Sequence, residues 1–192
     1  MRKGRLSRAK QERLIEHFVA GVTARCAASL IGVNHKTAAY YFKRLREIIT
    51  CHMELESEQI FGGEIEVDES YFGGARKGKR GRGAAGKAPA FGLLKPGRRV
   101  YAKIIPNASE TLMPIIQQKV TPDSIVYSDY WRGYNVLDVS EFRHYRINHS
   151  KLFADKYNHI NGIENFWNQA KRHLRKFNGV PIGPFSAIFE GN

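Results

Sequence analysis

The spacing of apolar residues changes once along this chain, near residue 64, and that change limits the possible folds more than any other feature. Ahead of it, apolar residues recur at helical intervals. At Glu64-Ile65-Glu66-Val67-Asp68 they alternate, which puts Ile65 and Val67 on one face of a strand and Glu66 and Asp68 on the other. A helical pattern does not settle as a strand, nor an alternating one as a helix. The reading is therefore a small all-α domain over residues 1–50, a linker over 51–63 and an α/β domain over 64–192. With 192 residues, 42% of them apolar, the chain can bury a core in each.

The head reads as three helices. Ser7 is placed to cap the first, with Leu14, Ile15, Phe18 and Val19 as its apolar face and Gly21 as its stop. Thr23 can cap a second that runs to Ile31 and breaks at Gly32; a third spans about residues 34–49. Ala27, Ala28, Ile31, Val33, Ala38 and Tyr41 fall at the offsets a helix-turn-helix needs around its turn, and the two alanines permit close approach of the helices. The third helix would be the recognition helix, presenting Asn34, His35, Lys36, Thr37 and Tyr40. The competing reading is a generic three-helix unit with a basic surface.

Charge points to the kind of partner. There are 31 Lys and Arg against 18 Asp and Glu, a net charge of +13, and the pI is near 9.9. Such an excess favours a polyanion, either nucleic acid or an anionic membrane surface. Residues 1–50 carry a balance of +8, residues 51–69 hold acids with no Lys or Arg, and residues 73–89 carry Arg76, Lys77, Lys79, Arg80, Arg82 and Lys87 among six glycines. Nucleic acid repels carboxylates unless a divalent cation lies between them, so the acidic stretch is either a spacer or part of a metal site. No apolar run approaches the ~18 residues of a membrane-spanning helix. The basic N-terminus lacks the apolar stretch of a signal peptide. Cys26 and Cys51 form neither a disulfide framework nor a zinc knuckle, and read as reduced thiols in a cytoplasmic protein.

In the second domain, strands are expected over residues 64–68, 90–95, 99–105, 124–128 and 142–147, with a hairpin at Pro96-Gly97, a helix capped by Ser109 and running to Lys119, and a last helix over 161–177. Two motifs are set aside. Residues 81–87 nearly match a phosphate-binding P-loop, but Ala88 stands where a hydroxyl is needed and a strand follows instead of a helix, so no nucleotide cofactor is expected. Ser128 lacks a nucleophile-elbow setting. On the last helix, Ile163, Phe166, Trp167, Ala170, Leu174 and Phe177 form an apolar stripe, flanked by Glu164, Asn168, Lys171 and Arg175. Three acids then stand out: Asp68 in a strand, Asp129 at a strand end and Glu164 on the last helix. Such a set suits two-metal phosphoryl chemistry, in which one carboxylate bridges two Mg²⁺ ions and each ion takes a further one.

The string Glu66-Val67-Asp68-Glu69-Ser70-Tyr71-Phe72-Gly73-Gly74, the basic loop after it, Ser128-Asp129, and His159-Ile160-Asn161-Gly162-Ile163-Glu164-Asn165-Phe166-Trp167 with Lys171 resemble bacterial insertion-sequence transposases with an ISXO-type catalytic domain, within the RNase-H-like DDE superfamily. Thirty-five residues separate Asp129 from Glu164, and Lys171 follows seven residues later, both as in that group. The resemblance implies a mixed five-stranded sheet with flanking helices. It also implies that Asp68 bridges two Mg²⁺ or Mn²⁺ ions, that Asp129 and Glu164 each bind one, and that Lys171 holds a phosphate. The implied partners are double-stranded DNA, as terminal inverted repeats and as target, and further copies of the chain in a dimer or larger assembly. Arg175 and the basic loop would touch DNA, and no membrane is involved.

Some relatives place Asn or His at the third acidic position, and Asn161 and His159 lie about a turn before Glu164; charge and the spacing to Lys171 favour Glu164. Relatives continue past the last helix into another apolar segment, whereas Pro181-Ile182-Gly183-Pro184 here leads into a short tail, and larger relatives carry a zinc ribbon for which this chain has no cysteines. The alternative function is an inactive remnant that binds element ends without cutting. A nuclease without strand transfer is a third.

Overall fold

The structure is a computed structural model that describes residues 6–56, 60–73, 87–97, 99–147 and 160–175. The head is α1 (Arg8–Val19), α2 (Ala24–Ile31) and α3 (His35–Glu56). Ser7 Oγ accepts the Lys10 N–H at 3.4 Å and Thr23 Oγ1 accepts the Cys26 N–H at 3.3 Å, so each hydroxyl satisfies a donor that its helix cannot. Gly32 ends α2 with a φ of +69°, in the left-handed region that favours glycine. Leu14, Ala27, Ala28, Ile31, Ala38 and Phe42 form the buried centre, with Phe18 edge-on to Phe42 at 5.3 Å.

Two expectations for the head change. Ile15 and Val19 are 45% and 79% exposed, because the α2–α3 pair covers the narrow stripe through Leu14 and Phe18 and leaves the next residues around in solvent. The third helix also continues to Glu56. Residues 51–56 contain no Gly or Pro, and their Met, Leu and Glu are good helix formers, so the first part of the expected linker is helical.

The second domain is built on five strands: β1 (Glu64–Phe72), β2 (Ala88–Lys95), β3 (Arg99–Ile104), β4 (Ile125–Asp129) and β5 (Arg143–Ile147), in the order β3-β2-β1-β4-β5. β1 to β3 are antiparallel neighbours, whereas β4 and β5 run parallel to β1. This is the mixed sheet with flanking helices that the resemblance implies. The β2–β3 hairpin turns at Gly97, with a φ of +73°. Helix α4 (Ala108–Lys119) begins one residue before Ser109, which therefore lies inside the helix and not at its cap. A 3₁₀ segment, Arg132–Val139, fills the connection from β4 to β5.

Alternation along the strands sorts side chains onto two faces. On one, Ile65, Val67, Phe91, Leu93 and Val126 pack with Leu112, Ile116, Tyr134 and Leu137 from α4 and the 3₁₀ segment. On the other, Phe72, Ala90, Ala102 and Ile147 pack with Ile163, Trp167 and Leu174 of α5 (Asn161–Leu174). Burying each large apolar side chain stabilises by about 1.5–3 kcal/mol, so both faces are anchored by their own core. Among the described residues no helix is long and apolar enough to cross a membrane.

Candidate active site

The period of two puts Glu64, Glu66, Asp68, Ser70 and Phe72 on the α5 side of β1. Asp129 ends β4 on that same side, in step with Tyr127. Glu164 lies in the first turn of α5, half-buried. The three acids picked out in the sequence therefore share one face of the sheet.

The Asp68 carboxyl is pushed up to about 8, first by burial and then by the negative charges of Glu69, Asp129 and Glu164; the Glu69 N–H, which it accepts, opposes the rise. Asp129 is oriented by its own chain, since its Oδ1 accepts the Trp131 N–H at 2.9 Å. Glu164 donates its backbone N–H to Ile160 O at 3.1 Å, within the first helical turn. Half-buried carboxylates on one side of the sheet repel one another when ionised, and their donors are all hard oxygens. That chemistry fits a divalent cation of the Mg²⁺ or Mn²⁺ kind. Among the described residues, no three His, Cys, Asp or Glu side chains stand in ligating arrangement.

Of the alternatives for the third acid, Asn161 is exposed at the start of α5, and His159 lies outside the described residues. Lys171 is exposed on α5, with its Nζ over the Phe72 ring at 5.9 Å, at the far end of β1 from Glu66. Arg175 caps the C-terminus of α5 and is exposed. In the head, Asn34, His35, Lys36 and Tyr40 are exposed around the start of α3 and Thr37 is half-buried. Asn34 Oδ1 accepts the Lys36 N–H at 2.9 Å, so this side chain also caps the helix. Arg76, Lys77, Lys79, Arg80 and Arg82 lie outside the described residues.

Several contacts have no sequence signal of their own. Glu69 points to the opposite face from Asp68, buried, and accepts the hydroxyl of fully buried Tyr134 at 2.9 Å. Burial, followed by the Glu69 and Asp68 charges, raises the Tyr134 phenol well above its usual range, which keeps it a donor. Ser128 Oγ lies 2.7 Å from His144 Nε2, and His144 Nδ1 lies 2.6 Å from Asp138 Oδ1, with Arg146 paired to the same Asp138. This chain of groups is not a nucleophile site. Ser128 is fully buried and its hydroxyl also lies 2.9 Å from Asp129 O, so it ties the end of β4 to β5. Burial lowers the His144 pKa, partly offset by Asp138.

The sequence model of the ISXO2-like transposase domain matches residues 60–180. An uncharacterized transposase-like protein of Haemophilus influenzae is 66% identical over 84 residues, which cover 43% of this chain and 68% of that protein. Among solved structures, a pre-cleavage Mos1 transpososome aligns with 100% of this chain and 76% of its own at 10% identity and a TM-score of 0.32. The Mos1 strand transfer complex aligns with 99% of this chain and 74% of its own at 13% identity and a TM-score of 0.29.

Proposed function

Because the chain belongs to the ISXO2-like transposase domain family, we propose that it binds the terminal inverted repeats of an insertion sequence and carries out DNA strand cleavage and strand transfer. The observation that carries this reading is the placement of Asp68 and Asp129 on the face of the sheet that α5 covers, with Glu164 in the first turn of that helix.

Asp68, Asp129 and Glu164 would hold two divalent cations, which when bound supply charge neutralisation at the scissile phosphate and a lowered pKa for attacking water. The chain's own groups do the rest. Asp129 is held in orientation by the Trp131 N–H, and Glu164 comes from α5, the helix that covers the same face of the sheet. Lys171 offers a cation to a phosphate further along α5. Water displaces the 3′-oxygen of an element end from phosphorus in line, and the freed 3′-hydroxyl then attacks a target phosphodiester, displacing its 3′-oxygen. No covalent protein–DNA bond forms. The start of α3 reads the terminal repeat through Asn34, His35, Lys36, Thr37 and Tyr40, and the basic loop with Arg175 follows the phosphate backbone. Pairing two element ends calls for two or more copies of the chain on DNA, and such a protein works in the cytoplasm on the nucleoid.

The test is Mg²⁺- or Mn²⁺-dependent nicking of a labelled duplex carrying the inverted repeats that flank the gene. Asp68→Asn, Asp129→Asn and Glu164→Gln should each abolish nicking while leaving binding intact. Specific binding by wild type without nicking, at any divalent-cation concentration, would leave the end-binding remnant. Nicking with no joined product from a 3′-hydroxyl donor would leave a nuclease. Full activity of Glu164→Gln beside a dead Asn161→Ala variant would move the third ligand one turn back.

A further inference from the structure

Glu66 precedes Asp68 by two residues and points to the same side of β1. It is 3% exposed, and its Oε2 accepts the backbone N–H of Ile163 at 2.7 Å. That N–H belongs to the first turn of α5, among the four donors that a helix cannot satisfy internally. α5 has no cap of its own: Ile160 occupies the cap position, and no side-chain hydrogen bond is made there. Gly162 lies against the same carboxylate, where a Cβ would come within 2.8 Å of Glu66 Oε2 and 3.0 Å of Oε1. A carboxylate from the central strand therefore takes the place of a local cap. It also sits at the positive end of the helix dipole, where a buried anion is best tolerated.

The residue after Ile163 is Glu164. We infer that Glu66 is a positioning residue: it fixes the first turn of α5 to β1 and so sets Glu164 against Asp68. This rests on the reading of Asp68, Asp129 and Glu164 as the metal-binding acids. Glu66 acts through its hydrogen bond to the Ile163 N–H, so what the anchor requires is an acceptor oxygen and not a ligand charge.

The two roles separate in the full-length chain without DNA. Amide hydrogen exchange at Ile163 reads the anchor, and Mn²⁺ titration by calorimetry reads the acids. Glu66→Ala should speed exchange at Ile163 by about tenfold or more, and weaken Mn²⁺ binding by about tenfold, the lower end of what loss of a ligand-orienting group costs. Glu66→Gln keeps an acceptor oxygen and should return both to within about threefold of wild type. Should Glu66→Ala not fold, Gly162→Ala makes the same comparison, because its Cβ displaces the same carboxylate.

Unchanged exchange in Glu66→Ala overturns the anchor. Mn²⁺ binding as weak in Glu66→Gln as in Glu66→Ala, with exchange restored, overturns the positioning role and makes Glu66 a ligand. Asp68→Asn is the control for the underlying reading. If it binds Mn²⁺ like wild type, the metal assignment falls and with it the purpose given to Glu66, while exchange at Ile163 still decides whether the anchor exists.

Discussion

Trp167 occupies the space that a side chain at Gly92 would need: its Cζ2 lies 2.6 Å from where that Cβ would stand. Gly92 is the β2 partner of Asp68, so the bare backbone beside Asp68 is what lets α5 lie down on the sheet. The Ile163 Cδ1 would be 2.9 Å from the same Cβ. Gly92→Ala should therefore cost about 1–3 kcal/mol of stability by overpacking. It should also lift α5, and with it Glu164, away from Asp68. Denaturant melts and Mn²⁺ titration of the purified variant check both effects. A variant as stable as wild type with unchanged Mn²⁺ affinity would show that the sheet and helix have slack here.

Asp68 makes the stability of the metal-free chain depend on pH with a definite sign. Its folded pKa of about 8 exceeds the ordinary aspartate value, mainly through burial. A carboxyl raised on folding contributes its stability in full below the unfolded pKa and loses it as pH climbs through the folded one. The window runs from about pH 4 to about pH 8. Asp68→Asn cannot ionise. With EDTA present it should be more stable than wild type at pH 8, by about 1–3 kcal/mol after allowing for solvent screening. The gap should close toward pH 4. Added Mn²⁺ should stabilise wild type and leave Asp68→Asn unmoved, since ligation needs the carboxylate. Urea melts at three pH values decide it, and a variant weaker than wild type at pH 8 contradicts the electrostatics.

The same strand shows how far pattern reaches and where it stops. Alternation makes Ile65, Val67 and Asp68 legible, and with them the start of β1 and one site acid. It breaks off at Glu69, because an acid on the apolar face contradicts the period. The strand runs on to Phe72 nonetheless, and the Tyr134 hydroxyl, 65 residues away, donates to Glu69 Oε2 in the core. Asp129 and Glu164 are legible through motif and spacing. The role of Glu66 is not, because its partner is a backbone N–H 97 residues on, which no residue type announces. The 3₁₀ segment Arg132–Val139 escapes for a related reason: Tyr134 and Leu137 are buried three residues apart in too short a stretch to display a period.

Ser128, His144 and Asp138 form a chain of close contacts that a search for hydrolase triads would pick up, and its burial predicts the opposite outcome. Ser128→Ala should cost about 1 kcal/mol, the usual net worth of a neutral hydrogen bond. It should retain metal-dependent nicking, and wild type should not react with a fluorophosphonate probe. His144→Ala should cost more than Ser128→Ala, because it also empties space beside the Asp138–Arg146 pair. The double variant should then cost less than the sum, as expected for groups in one network. Labelling of Ser128 by the probe would show that the hydroxyl reaches solvent and that β4 opens at this end.

Lys171 should influence DNA and leave the acids alone. Seven residues of α5 separate it from Glu164, about 10 Å along the helix axis at 1.5 Å per residue. Its Nζ rests over the Phe72 ring at 5.9 Å, an exposed arrangement that contributes at most about 0.5–1 kcal/mol. Lys171→Met keeps the apolar stem over that ring and removes only the charge. Stability should change by less than about 0.5 kcal/mol, and Mn²⁺ affinity should stay where it was. Binding to duplex DNA should weaken, with the slope of log K against log salt falling by about 0.9, the signature of one lost phosphate contact. Because that term is independent of sequence, the loss should be equal for terminal-repeat and unrelated duplexes. A slope identical to wild type would make Lys171 a surface cation held by Phe72. A loss confined to the terminal repeat would give it a role in reading sequence, which a flexible ammonium so far from the start of α3 in the chain is poorly suited to perform.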